Sequence, residues 1–316
     1  MDWLTDPLSL ELFRRALIEA VVMGATCGAI GAYVVLRRLA FIGDALAHAV
    51  FPGVVLAYVA GWPIFAGAMI AGTVTSLAIA VVSRGQRIRE DTAIGIFFAG
   101  AFALGIVLIS TQSGYQRDLS AFLVGDLLAV GWDDIVVSAV AGAAVIGILV
   151  ALRKELLLVS FDRTFAQALG YPVFVLELLL LLLLTATIVV SLSAVGIILV
   201  LAMLVTPAAT ARLLVDRFTP MMILGGVLGA LYGIIGWYVS YHLGWSPGGS
   251  IVLTATLLFV VAFVFSPTHG LVAHRLRRHP QHDAVRPAID QPPGHSHAAA
   301  EDPVVASLER RHPPGR

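Results

Sequence analysis

The sequence predicts an all-α protein, a polytopic transmembrane helical bundle of eight or nine spans, and two observations carry that expectation. Of its 316 residues, 59% are hydrophobic and 13% charged, with a mean hydropathy of +0.91. That is far more apolar surface than one soluble core buries. The apolar residues also run on for about 20 positions at a time, the length at which a helix crosses a bilayer, instead of alternating over about ten as barrel strands do. Glycine and proline are scattered through these runs, which excludes collagen-like and low-complexity classes. The single cysteine, Cys27, can form no intrachain disulfide and reads as a small buried thiol.

In chain order, runs long enough to span lie at roughly 13–35, 42–61, 63–83, 92–111, 133–152, 173–192, 194–214, 220–243 and 250–266. The count is eight or nine because 173–214 is nearly continuous, with Ser191, Ser193 and Gly196 as the only turn signals. Residues 1–266 form the membrane domain. Beyond Ser266 lies a tail, 267–316, rich in His, Arg and Pro, that holds seven of the nine histidines and lacks apolar periodicity; it reads as disordered.

Arg and Lys in the short loops set the orientation. Arg37 and Arg38, then Arg84, Arg87 and Arg89, then Arg153, Lys154 and Arg163, then Arg212 and Arg217, and the tail all fall on one side. That side is cytoplasmic by the positive-inside rule, which leaves Arg14, Arg15 and Arg117 outside and, with nine spans, an outward amino terminus. The start, Met-Asp-Trp-Leu-Thr-Asp-Pro, has no basic region of the kind that precedes a cleaved signal peptide.

An ionisable residue at a span's centre costs about 2.5–3.5 kcal/mol on insertion scales, so each is a functional candidate. Glu19, Asp44, His48 and Glu177 qualify, with Asp126 and His242 near interfaces. Asp44 and His48 are four apart, on one helical face with Cβ atoms about 5–6 Å apart. A carboxylate oxygen and an imidazole nitrogen suit zinc or manganese better than copper(I). The same spacing also suits a buried Asp–His hydrogen bond that fixes helix packing. One helix supplies only two ligands, whereas a symmetric dimer lining a central path supplies two Asp and two His. Pro52 lacks the amide hydrogen that would bond the His48 carbonyl, which leaves that oxygen for a metal or for a kink satisfied by a neighbour. Glu19 and Glu177 have no ligand-type partner at helical spacing and read as proton-bearing or neighbour-paired residues. His242, beside Tyr238 and Tyr241, reads as an interfacial belt.

Several motifs fail. Gly244-Trp-Ser-Pro-Gly248 fits G-x-S-x-G but joins two apolar runs where a nucleophile elbow needs a strand and a helix. There is no His-Glu-x-x-His. The only lysine, Lys154, is followed by Glu155, so the chain has no phosphate-binding loop, and uphill transport would need an ion gradient or a separate ATPase.

The cytoplasmic segment 153–172 contains Ser160-Phe-Asp-Arg-Thr-Phe-Ala-Gln-Ala-Leu-Gly170-Tyr-Pro172. Ser160 or Asp162 serves as N-cap, Gly170 as terminator and Pro172 as stop, which predicts a short helix outside the membrane. Phe161, Phe165 and Leu169 form an apolar ridge that either lies on the membrane or enters a groove on another protein.

With these residues in hand, the chain resembles the permease subunit of metal-type ABC importers, the branch that handles zinc, manganese or iron. The resemblance rests on Arg37-Arg-Leu-Ala-Phe-Ile-Gly-Asp44-Ala-Leu-Ala-His48, on Glu90-Asp-Thr-Ala-Ile-Gly-Ile96, on Asp118-Leu-Ser-Ala-Phe-Leu-Val-Gly-Asp126 and on Leu204-Val-Thr-Pro-Ala-Ala-Thr-Ala211, in the family's order and spacing. It implies that Asp44 and His48 contact the transported Zn2+, Mn2+ or Fe2+. It also implies that Phe161, Asp162, Phe165, Leu169 and Gly170 belong to a coupling helix seated in an ABC ATPase subunit. The implied partners are that ATPase, an extracytoplasmic metal-binding protein and a second permease copy, in a bacterial inner membrane; no permanent cofactor and no nucleic acid are expected. The subunit itself is then no enzyme. The rival is a proton-coupled secondary metal transporter with Glu19 or Glu177 as proton carrier. In the last motif Pro207 reads as a kink among small residues that admit a close neighbouring helix. The tail's His295 and His297 lie outside the family pattern and read as part of the disorder, with metal buffering the lesser alternative.

Overall fold

The computed structural model describes residues 9–85, 87–111 and 127–266. The amino-terminal heptapeptide, Arg117, the Asp118–Asp126 motif and the 267–316 tail with His295 and His297 lie outside the described residues. Within them the chain forms twelve α-helices and no strand. These are α1 (Glu11–Leu36), α2 (Ile42–Ala49), α3 (Phe51–Ala60), α4 (Ile64–Ser83), α5 (Glu90–Ser110), α6 (Trp132–Ala151), α7 (Arg153–Phe161), α8 (Arg163–Ala168), α9 (Val173–Val195), α10 (Ile197–Leu214), α11 (Phe218–Leu243) and α12 (Pro247–Phe265).

Nine spans follow among the described residues, with α2 and α3 sharing one and α7 and α8 lying between spans. The ambiguous 173–214 stretch is two helices. Gly196 separates them at φ +79°, a conformation that a side-chain-bearing residue rarely adopts. The span holding α2 and α3 breaks at Val50, two residues before Pro52. At that break backbone N–H groups are donated to the carbonyls of Leu46 and His48, so the His48 oxygen has a neighbour satisfying it, as the kink reading expects.

The α1 helix and the α2–α3 span are the most deeply packed, whereas α5, α6 and α12 expose mostly apolar faces. Lipid tails are as apolar as leucine, so helices associate here through close packing of small residues. The α1–α11 pair shows this: a Cβ on Gly24 or Gly28 would overlap the backbone oxygen of Gly229 or Gly225. Pro207 sits buried inside α10. Nearby, Tyr232 of α11 donates to Thr210 Oγ1 at 3.0 Å, which satisfies a polar pair within the apolar layer.

The two ends of the bundle differ in charge. Arg37, Arg38, Arg89 and Arg163 line one polar cavity, so three of the loops assigned to the cytoplasm meet at one end, as the charge bias requires. At the other end of α1, the guanidinium groups of Arg14 and Arg15 stand over the Trp132 ring at 5.9 and 5.5 Å. The belt expected there also forms: Phe13 meets Tyr241 edge-on at 5.0 Å, and His242 stacks on Tyr238 at 6.4 Å.

Candidate metal centre

Asp44 and His48 lie on α2, an eight-residue helix packed against α4, α5, α9 and α10. Their side chains are 28% and 23% exposed, neither sealed in the core nor fully free. Helical spacing brings Asp44 Oδ1 and His48 Nδ1 to 3.4 Å, and the same nitrogen lies 3.0 Å from the Asp44 carbonyl oxygen. With the proton on Nδ1, that N–H is donated to the carbonyl and Nε2 keeps the lone pair a metal needs. The ring is held edge-on by Phe98 at 5.6 Å and Phe102 at 5.3 Å, both on α5. These two aromatics stack on each other at 6.2 Å.

The polar contacts of both groups stay within α2, an arrangement compatible with a metal pair and with an Asp–His contact that orders the helix. What His48 meets from outside is aromatic surface, which orients the imidazole without occupying its nitrogens. Among the described residues no three His, Cys, Asp or Glu side chains converge as a metal cluster. Asp44 and His48 therefore stand, among the described residues, as a pair without a third such side chain.

The short helix expected between spans is α8, but the extended backbone at Asp162 splits the segment, so of the expected ridge Phe161 ends α7 and only Phe165 lies within α8, with Leu169 as its C-cap. Its N-cap is Asp162, not Ser160: Asp162 has extended backbone, and its Oδ1 accepts the Phe165 N–H at 2.8 Å. Ser160 instead ends α7 and donates its hydroxyl to the Leu156 carbonyl. The end of α8 closes as a Schellman motif, with Gly170 at φ +82°, its N–H on the Gln167 carbonyl at 3.0 Å and the Tyr171 N–H on the Ala166 carbonyl at 3.1 Å. Ala166 is fully buried, whereas Phe161, Phe165 and Leu169 stand out 70%, 53% and 55% exposed.

A family model described as the ABC 3 transport family matches residues 9–266, the whole membrane body. The chain belongs to the ABC 3 transport family. Among relatives in the family, it is 46% identical over 270 residues to the "Manganese transport system membrane protein MntC" of Halalkalibacterium halodurans, covering 85% of this chain and 92% of that one. It is 38% identical over 272 residues to the "Probable iron transport system membrane protein" of Haemophilus influenzae, covering 86% and 96%. Among solved structures it matches "PsaBC from Streptococcus pneumoniae in complex with Fab" with a TM-score of 0.75 and 36% identity, over 87% of this chain and 99% of that one. The all-helical multi-pass permease fold is thereby shared.

In this member of the family the other intramembrane carboxylates are paired. Glu19 is buried on α1 and accepts the Ser138 hydroxyl of α6 at 2.7 Å. Glu177 bonds to two guanidinium groups, Arg163 at 2.9 Å and Arg37 at 3.4 Å. Glu177 is neighbour-paired through both oxygens, whereas Glu19 has a partner on Oε1 and none on the buried Oε2, so both alternatives its spacing left open still stand for Glu19. Sequence spacing missed these partners because they come from 119, 140 and 14 positions away across helix boundaries. The Phe98 and Phe102 contacts to His48 were missed for the same reason.

Proposed function

We propose that this chain is the membrane permease subunit of an ATP-driven importer of a divalent transition metal, with Mn2+ as the leading cargo, Fe2+ next and Zn2+ compatible with the same ligands. The observation that carries the reading is the Asp44–His48 pair: two metal-competent side chains on one face, held by aromatics, and incomplete within one chain. The names of the relatives, manganese and iron transport proteins, favour those two metals over zinc.

Two copies related by a two-fold axis would supply two carboxylates and two imidazoles, the four ligands a transition metal usually takes, at about 2.0–2.2 Å. The carboxylates provide charge neutralisation in a low-dielectric path, and the imidazoles provide the nitrogen donors that hold manganese, iron or zinc against water. Homodimerisation is part of the proposal. So is docking of Phe161, Asp162, Phe165, Leu169 and Gly170 on a separate ATPase, which supplies the hydrolysis this chain lacks a phosphate-binding loop to perform. An extracytoplasmic metal-binding protein delivers the cargo. The protein resides in the bacterial inner membrane, its membrane domain is 1–266, and the 267–316 tail is cytoplasmic.

The test is uptake into proteoliposomes holding the permease, its ATPase and its binding protein, with Mn2+, Fe2+ and Zn2+ offered separately. ATP-dependent uptake led by Mn2+ is expected. Uptake that needs a proton gradient and ignores ATP would replace this reading with a proton-coupled transporter.

A further inference from the structure

Four charged residues from four parts of the chain form one continuous chain of ion pairs. Arg163, the first residue of α8, lies 2.9 Å from Glu177 Oε2 on α9. Glu177 Oε1 lies 3.4 Å from Arg37 Nη2, and the same Arg37 nitrogen lies 3.3 Å from Glu90 Oε2. Glu177 and Arg37 are each 10% exposed, Arg163 21% and Glu90 26%, so these are not the freely solvated surface pairs that contribute little. Two positive and two negative groups balance. Removing either inner member leaves a partner charge largely uncompensated away from water.

Where each residue sits gives the chain its direction. Arg163 opens the helix that carries the exposed Phe165 and Leu169 ridge. Arg37 caps α1 and leads through Arg38, which has φ +60°, directly into α2 with Asp44 and His48. Glu90 is the first residue of α5, the helix whose Phe98 and Phe102 hold the His48 ring. The ion pairs therefore join the start of α8 to the start of α5 and to the end of α1, from which the turn through Arg38 leads into α2. A polar cavity of about 420 Å³ lies alongside, lined by Arg37, Glu90 and Arg163 of the link together with Arg38, Arg89 and Asp91.

Building on the importer reading, we propose that Arg163, Glu177, Arg37 and Glu90 form the link through which movement of α8 resets the α2–α5 frame around Asp44 and His48. Glu177 and Arg37 are positioning residues that couple ATP hydrolysis to metal passage. They do not touch the metal. In this proposal the Arg37–Ile42 turn, which holds Arg38 at φ +60°, is the segment whose shift would move α2.

The experiment uses the full reconstituted complex, with Mn2+-loaded binding protein, and measures ATP hydrolysed and Mn2+ taken up in the same vesicles. Glu177→Gln keeps the side-chain volume and removes the charge; Arg163→Gln breaks the link at its more exposed outer end and carries the test if the first variant does not assemble. In both, Mn2+ moved per ATP is expected to fall about tenfold while hydrolysis stays within about twofold, and the double variant should be no worse than either single one. Arg37→Lys, which keeps the charge, should retain more of the ratio than Arg37→Gln, which removes it. An unchanged ratio in Glu177→Gln and Arg163→Gln, or uptake and hydrolysis falling in parallel, would overturn the link. A wild-type complex with no ATP-dependent uptake would instead remove the importer reading beneath it.

Discussion

Truncating the exposed phenylalanines between the Trp132–Ala151 and Val173–Val195 spans separates a docking surface from a lipid-lying one. Phe161 is 70% and Phe165 53% exposed in the isolated chain. Full burial of a phenylalanine side chain is worth about 1.5–3 kcal/mol, so seating the remaining exposed fractions in a groove is worth about 1–2 and 0.8–1.6 kcal/mol respectively. Phe161→Ala with Phe165→Ala should then weaken binding of the ATPase subunit by about 2–3.5 kcal/mol, or about 30- to 300-fold in Kd. Neither α7, which ends at Phe161, nor α8, which holds Phe165, is expected to melt, because alanine has the higher helix propensity and the Asp162 cap and the Gly170 terminus are untouched. The assay is titration of the ATPase subunit against the permease in lipid nanodiscs, with the permease's own thermal midpoint as control. An unchanged Kd, together with weaker contact of residues 161–169 with the bilayer as read by a depth-dependent fluorescence quencher, would refute docking and place the ridge on the membrane.

Two further outcomes are expected. Gly28→Ala places a methyl group against the Gly225 backbone oxygen, so α1 and α11 must separate; it should destabilise the permease by about 1–3 kcal/mol and lower its thermal midpoint in detergent, whereas Gly147→Ala, on open helix surface, should not. Glu19→Gln keeps an acceptor for the Ser138 hydroxyl but can carry no proton, so ATP-driven uptake should persist within about twofold of wild type, while a transporter that used Glu19 as its proton carrier would stop.

Much of this molecule was legible in its sequence because a bilayer converts composition directly into architecture. Runs of apolar residues about 20 long marked the spans, and the arginine bias grouped the Arg37, Arg89 and Arg163 loops that meet at one cavity. The i,i+4 rule placed Asp44 and His48 on one face, and local capping chemistry located α8 to within a residue or two. What was not legible depends on tertiary contact. Arg37 looked like a topological charge, yet its two carboxylate partners lie 53 and 140 positions away, and no periodicity encodes such pairings. Glu177 looked like an isolated intramembrane acid for the same reason. Gly196 was only a weak turn signal because glycine is frequent inside membrane helices; only its positive φ decides that the chain breaks there.

The measurement that bears most directly on metal passage compares Asp44→Asn and His48→Ala, each in the reconstituted complex with its ATPase and binding protein, for ATP-dependent Mn2+ uptake at saturating ATP. Each substitution removes one proposed ligand type; Asp44→Asn keeps the side-chain shape, whereas His48→Ala also gives up the ring's contacts with Phe98 and Phe102, so assembly and thermal midpoint are measured alongside uptake. Uptake is expected to fall by well over about tenfold in each variant, at unchanged assembly and thermal midpoint, because losing a direct ligand should exceed the 10- to 100-fold typical of outer-shell partners. Wild-type uptake in both variants would contradict the assignment of Asp44 and His48 to the metal path.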